Sequence, residues 1–316
     1  MVKVKTPSPI DYLNAISSKN NIYIKRDDLT DISLGGNKAR KLQLFMKDAI
    51  GQQSDCIVTY GGAQSNHCRI TAAFARQCGF KVVLVLSEPA EEQKFNGNYF
   101  LYDLFDSEIV WTKVNEVPET IKKTLDELKD KGYRPYFIQG GGHGNLGTHA
   151  YKLAFDEIVS YEREHNLSFD YIFHASGTGT TQAGLEVGKL LYGHQTQIRG
   201  VSVARNKTRG NDVIMNSIAD YCDAYNIDKT LISKHINFDD KYVGNGYADI
   251  YPEILNTIKK VAQETTILLD PVYTGKAFYG MLDTIKKENL ENKNILFLHT
   301  GGTPLLFNYA HLFKEM

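Results

Sequence analysis

Short β-branched runs recur along this chain at intervals of helical length, and each ends in glycine or a small polar residue. They occupy positions 56–60, 82–86, 109–111, 136–138, 171–173, 198–203, 266–269 and 295–298. Between them, segments such as 65–78, 117–131, 147–164 and 182–192 read as helices. Alternation of this kind specifies an α/β fold. The near-continuous apolarity of the runs points to parallel strands covered on both faces.

At about 150 residues per domain, the 316 residues predict two domains. No long linker separates them, so the chain must cross through short connections, expected near Lys41 and His149. That gives a small domain of residues 41–149 set into a large one formed by 1–40 and 150–316. Thirty-six basic residues against 37 acidic ones leave no excess charge to capture nucleic acid or anionic lipid. No secretory leader and no window of membrane-spanning length is visible. The cysteines, Cys56, Cys68, Cys78 and Cys222, have no CxxC spacing, so free thiols and a cytoplasmic location are expected. His67, His143, His149, His174 and His299 lack ligand spacing and a carboxylate cluster, which predicts no metal.

The glycine clusters carry the functional signal, because ligands of doubly wound sheets bind where strands end and helix N-termini converge. Gly61-Gly62-Ala63-Gln64-Ser65-Asn66 offers backbone donors, a hydroxyl and an amide; it reads equally as a tight turn with Ser65 as the N-cap. Gly177-Thr178-Gly179-Thr180-Thr181 combines several hydroxyls with no acid and suits a phosphate. It lacks a P-loop lysine, and Gln182 stands where a dinucleotide fingerprint has its third glycine. Gly142-His143-Gly144-Asn145-Leu146-Gly147 matches GxGxxG, which makes an NAD-dependent dehydrogenase the rival reading. The next strand, however, ends in His174-Ala175 without the acid that holds a ribose. Gly35-Gly36-Asn37-Lys38 presents a lysine in a glycine-rich turn, although Lys38, Arg40 and Lys41 together also read as a solvated helix face. A phosphate cradle, such a lysine and several hydroxyl or amide donors are what a pyridoxal 5'-phosphate site requires.

Segments Ile24-Lys25-Arg26-Asp27-Asp28-Leu29-Thr30 and Gly35-Gly36-Asn37-Lys38-Ala39-Arg40-Lys41-Leu42 resemble the start of the D-cysteine desulfhydrase and 1-aminocyclopropane-1-carboxylate (ACC) deaminase family. Gly61 to His67, Leu269 to Ala277 and His299-Thr300-Gly301-Gly302 continue the resemblance in order along nearly the whole chain. It implies a tryptophan-synthase-β-like, fold type II pyridoxal phosphate enzyme. Such an enzyme has two domains, each an open, twisted, mostly parallel sheet flanked by helices, and is a homodimer acting on a small amino acid. By this resemblance Lys38 forms the Schiff base and moves the α-proton, and Asn66 meets the phenolic oxygen of the cofactor. Gly177, Thr178, Gly179, Thr180 and Thr181 cradle its phosphate, and Thr300 meets the pyridine nitrogen. Ser65 binds the substrate carboxylate and assists proton transfer, while Tyr273 and Tyr247 stand near the reacting carbon. His67, His143 and Thr274 complete the implied substrate surroundings.

A neutral hydroxyl at the ring nitrogen makes a weaker electron sink, which suits β-elimination better than transamination. Thr274 follows Tyr273 where the ACC deaminases resemble one another in carrying glutamate, so the resemblance favours the desulfhydrase branch. Cysteate sulfo-lyase and ACC deaminase chemistry are the alternatives. The chain departs from the family pattern at Gly141-Gly142-His143-Gly144-Asn145. There His143 either selects the leaving group or only caps the following helix.

Overall fold

A computed structural model describes residues 3–17, 19–89, 94–231 and 235–314. The apolar run at 56–60 becomes β3 (Cys56–Gly62), the centre of a four-stranded sheet. Its neighbours are β4 (Lys81–Ser87) and β6 (Pro135–Ile138), with β5 (Glu108–Thr112) at the edge beside β4. All three pairings are parallel, and Val58 faces both Val83 and Phe137. Helices α2 (Asn66–Gln77), α3 (Gly97–Leu104) and α4 (Val117–Asp130) connect these strands.

The second sheet has six strands in the order β1-β2-β10-β7-β8-β9. They are β1 (Ile10–Tyr12), β2 (Asn21–Arg26), β7 (Tyr171–Ser176), β8 (Gln197–Ser202), β9 (Asn237–Asp239) and β10 (Asn294–His299). Only β1 runs antiparallel, and Phe297 of β10 lies between Ile24 and Phe173. Every residue of β7 is buried, as a central parallel strand covered by helices on both faces requires. Its cover comes from α5 (Asn145–His165), α6 (Thr180–Tyr192), α7 (Lys207–Ala224), α8 (Pro252–Thr265) and α9 (Thr274–Lys287), with short α10 (Thr303–Asn308) closing the chain.

The chain passes between the sheets along helices. Lys41 lies inside α1 (Asn37–Gly51) and His149 inside α5. One expected strand is absent: residues 266–269 pair with no strand. Side chains have taken the groups a ladder would use. Thr266 adopts φ +61° to end α8, Thr265 Oγ1 accepts from Ile267 N–H, and Leu268 carbonyl meets the His299 ring. Strands β1, β2 and β9 are short or carry polar residues such as the fully buried Lys25, which hid them from the apolar pattern. All four cysteines are free thiols. Among the described residues no helix is long and apolar enough to cross a membrane.

Candidate active site

In each sheet the strand order reverses around a central strand, at β3 in one and β7 in the other, and such switch points open a crevice beyond the strand ends. The two crevices meet in a cavity of about 1280 Å³. Its walls include Lys38 of α1, Ser65 and Asn66 after β3, Gly177 and Thr178 after β7, and Thr300 after β10. The glycine clusters flagged in the sequence therefore converge on one space.

Lys38 is placed by a tight approach of backbones. Gly36 sits at φ +122°, and a Cβ there would come within 2.9 Å of Thr300 carbonyl. The adjoining Asn37 N–H donates to that same carbonyl at 3.0 Å, which ties the start of α1 to the loop after β10. Burial lowers the Lys38 ammonium to about 8, so a useful fraction is free amine near neutral pH. Three residues on, and so on the same helix face, Lys41 is fully buried. Its ammonium donates to Thr180 Oγ1 at 2.6 Å and lies 5.6 Å above the Tyr151 ring. Burial first, and then Lys38, hold it far below the ordinary lysine range. Among the described residues no carboxylate lies within 4.0 Å of either lysine, and neither they nor Arg40 form the solvated face the sequence allowed.

Thr178, Gly179 and Thr181 line the cavity at the N-terminus of α6, where backbone N–H groups remain for an anion. Thr181 Oγ1 also accepts from Asn37 Nδ2 at 3.2 Å, joining this loop to α1. Thr180 departs from expectation: its side chain is fully buried and spent on Lys41, so only its backbone can serve the cradle. Ser65 is the N-cap that the sequence allowed, and it stands at the cavity. Its Oγ accepts from Cys68 N–H at 3.2 Å at the start of α2.

His67 is buried in the wall with its tautomer dictated by neighbours. Thr59 spends its hydroxyl proton on Ile138 carbonyl at 2.7 Å, so the 2.8 Å contact to His67 is a donation from Nε2–H. Burial, then Lys38 and Lys41, keep the ring neutral. Tyr273 and Tyr247 join hydroxyls at 2.5 Å across the mouth of the cavity. Burial, followed by Tyr247, raises the Tyr273 phenol well above its usual range, so it stays protonated. The turn carrying Tyr273 is fixed by Asp270, whose carboxylate accepts from the N–H groups of Val272, Tyr273 and Thr274 at 2.9 Å each. The Thr274 hydroxyl donates to that carboxylate at 2.8 Å and is buried there, so it does not face a substrate as expected.

The loop bearing His143 lies against the phosphate-type loop, because Gly141 packs on the Thr178 side chain. His143 is half-buried and lowered by burial, then by Lys41 and Arg205. The GxGxxG pattern has a packing cause: Gly142 abuts the Lys41 stem, and a Cβ at Gly147 would fall 2.0 Å from Gly142 carbonyl. Arg69, Asn98 and Arg205 were not singled out in the sequence. Arg69 follows Asn66 by three on α2, and that helical spacing was the available signal. Asn98 and Arg205 come from distant elements and left none. Among the described residues no group of side chains could hold a metal ion.

The family described as pyridoxal-phosphate dependent enzymes matches residues 3–301. The chain belongs to this family. A Pyrococcus furiosus protein with the provisional name 1-aminocyclopropane-1-carboxylate deaminase is 37% identical, with 96% of this chain and 92% of that protein covered. A Klebsiella pneumoniae D-cysteine desulfhydrase is 36% identical over 97% of this chain and 94% of its own length. A solved structure described as an ACC deaminase homologue superposes with a TM-score of 0.89 at 33% identity, covering 98% of this chain and 93% of that one. A tomato (Solanum lycopersicum) threonine deaminase, at 17% identity and a TM-score of 0.68 over 98% of this chain and 82% of its own, shares the fold. The protein is thus a pyridoxal phosphate-dependent lyase of the ACC deaminase and D-cysteine desulfhydrase group.

The residues present suit the family's cofactor. A helix N-terminus with free N–H groups fits a phosphate, and at its start the fully buried Lys41 amine meets Thr180 with no carboxylate within 4.0 Å among the described residues, so a bound anion would restore its charge. Lys38, with its lowered pKa, fits an amine that must react with an aldehyde.

Proposed function

We propose that the protein eliminates the β-substituent of D-cysteine as hydrogen sulfide, and that the aminoacrylate left behind takes up water to give pyruvate and ammonia. One observation supports this reading above others. Among the described residues that line the cavity the sole acid is Glu88, which is exposed at the rim; beside Tyr273 the chain has Thr274, turned away onto Asp270. A cavity without an interior carboxylate leaves the ring nitrogen to Thr300 and favours a reaction whose leaving group departs quickly.

In this reading Lys38 holds the cofactor and then moves the α-proton, aided by a pKa that burial brings close to neutral pH. Ser65 and the N-terminus of α2 take the substrate carboxylate. Asn66 donates to the phenolic oxygen. Thr178, Thr181 and the backbone from Gly177 to Thr181 hold the phosphate over Lys41. Tyr273, kept protonated and hydrogen-bonded to Tyr247, faces the departing sulfur. When bound, pyridoxal phosphate supplies the electron sink that stabilises charge at the α-carbon. We place the boundaries of two domains at 41 and 149, one around each sheet, with the cavity between them.

Pyruvate release from D-cysteine, L-cysteine, cysteate and ACC, compared on protein supplied with pyridoxal phosphate, tests the proposal. D-Cysteine foremost is expected. ACC foremost would reassign the chain to the activity in the Pyrococcus name, and cysteate foremost would reassign the leaving group. No pyruvate from any β-substituted alanine would overturn elimination itself.

A further inference from the structure

Asn98, the second residue of α3, is fully buried, yet it lies on a different element from any residue that lines the cavity around Asn66. Its amide sits among partners that leave it one orientation. Arg69 Nη1 donates to Asn98 Oδ1 at 3.3 Å, and a guanidinium can only donate. Asn98 Nδ2 donates to Gln64 carbonyl at 2.8 Å, and a carbonyl can only accept. The Asn98 backbone N–H donates to Gln64 Oε1 at 2.9 Å, which holds the N-terminus of α3 against the loop after β3.

With that orientation fixed, the second contact of Asn98 Nδ2, at 2.9 Å, must reach an oxygen of Asn66. Asn66 therefore turns Oδ1 toward α3 and keeps its own NH₂ group for the cavity it lines. Rotating the Asn66 amide by half a turn would set two NH₂ groups against each other. Arg69 also donates to Gly35 carbonyl at 3.1 Å, in the loop that leads into Lys38, so one buried network spans both places where the cofactor is held.

We propose that Asn98 is a positioning residue that locks the Asn66 carboxamide with its N–H donors toward the phenolic oxygen of the cofactor. This rests on the reading, given above, that Asn66 meets that oxygen. An acceptor-facing Asn66 would repel the oxygen, whereas the locked donor lowers its proton affinity and tightens the cofactor.

The test uses the full-length, cofactor-loaded chain and three variants, Asn66→Ala, Asn98→Ala and the near-isosteric Asn98→Asp, together with the Asn66→Ala/Asn98→Ala double variant. The readouts are the pH midpoint of the visible absorbance of the bound cofactor, the rate of cofactor release into a scavenging apoenzyme, and the thermal midpoint. Asn66→Ala is expected to move the spectral midpoint and to speed release about five- to tenfold, the scale of one hydrogen bond. Both Asn98 variants are expected to move the midpoint in the same direction, and Asn98→Ala to add nothing once Asn66 is alanine. Asn98→Asp keeps the side-chain volume and an acceptor for Arg69, so it reports even if Asn98→Ala folds poorly. Asn98 variants that lower only the thermal midpoint, or whose spectral effect persists in the double variant, would overturn the proposal. A spectrum unchanged by Asn66→Ala would overturn the Asn66 assignment as well, and would identify that as the point of failure.

Discussion

Arg40 and Lys41 are neighbours in α1, both buried, and their surroundings could hardly differ more. Arg40 meets Asp27 at 2.8 Å and Glu157 at 2.7 Å, while Lys25 reaches Glu157 at 2.7 Å and Tyr151 donates to Asp27 at 2.6 Å. Asp27 is the strongest influence raising the Arg40 pKa against burial. Lys41, on the Lys38 side of the helix, has one hydroxyl and an aromatic ring, and burial depresses it. A buried charge is tolerated only with partners. The paired face welds α1 to β2 and α5; the unpaired face, with Lys38, is left short of negative charge where an anionic cofactor would bind.

The sharpest way to test this contrast is to remove one cation at a time. Lys38→Met should cost the largest factor, about 10²–10⁴ in kcat for the lost proton transfer alone, in pyruvate assays. It should also prevent borohydride from fixing the cofactor to the chain. Arg40→Met should spare the cavity but strand Asp27, destabilising the apo protein by about 3–5 kcal/mol in urea denaturation. Lys41→Met should do the reverse: apo stability held or raised, because the cost of burying that amine has gone, and cofactor affinity lowered about 10- to 100-fold through loss of the amine that a bound phosphate would hold charged. Equal effects of Arg40→Met and Lys41→Met on apo stability would erase the distinction between the two faces.

That distinction was not legible in the sequence, although much around it was. The strands at 56–60, 82–86, 171–173 and 295–298 announced themselves because central parallel strands are apolar on both faces. The glycine loops were visible because a chain turning from strand to helix near a ligand needs small residues and spare N–H groups. The face each charged residue of α1 occupies depends on Asp27 and Glu157, far away in sequence, and no local pattern encodes them. Likewise Thr180 and Thr274 look like site residues in sequence, since a hydroxyl in a cavity and a hydroxyl spent on Lys41 or Asp270 read alike. Residues 266–269 read as a strand for the same reason, their apolarity being real and their ladder groups already taken.

The pH dependence of the apo protein separates the faces more gently. Lys38 titrates near 8 in the folded chain against an ordinary value of 10.5, so between those values the unfolded state binds the extra proton. Stability should therefore rise with pH across that window and level off below about 8, where both states carry the charge. Lys41 is shifted in the same direction and adds to the slope, so Lys38→Met should reduce it without abolishing it. Arg40 stays charged throughout and contributes nothing to it. A slope unchanged in Lys38→Met, in urea denaturation repeated between pH 7.5 and 10.5, would mean that Lys38 is not the group held low.

The smallest effect should come from His143, which borders the cavity on the Lys41 side. Its loop packs on Thr178, and burial, Lys41 and Arg205 lower its ring while Asp220 and the Thr178 backbone oppose them. Since Arg205 already provides a cation beside the Gly177 carbonyl and burial lowers His143, His143→Ala should weaken the cofactor by less than about fivefold, the scale of one neutral hydrogen bond. It should leave the ranking of D-cysteine, L-cysteine, cysteate and ACC as it was. A ranking that changes in His143→Ala would place the imidazole beside the leaving group, and would extend the substrate-facing region of the cavity to the phosphate loop, across the boundary that the unpaired face of α1 now draws.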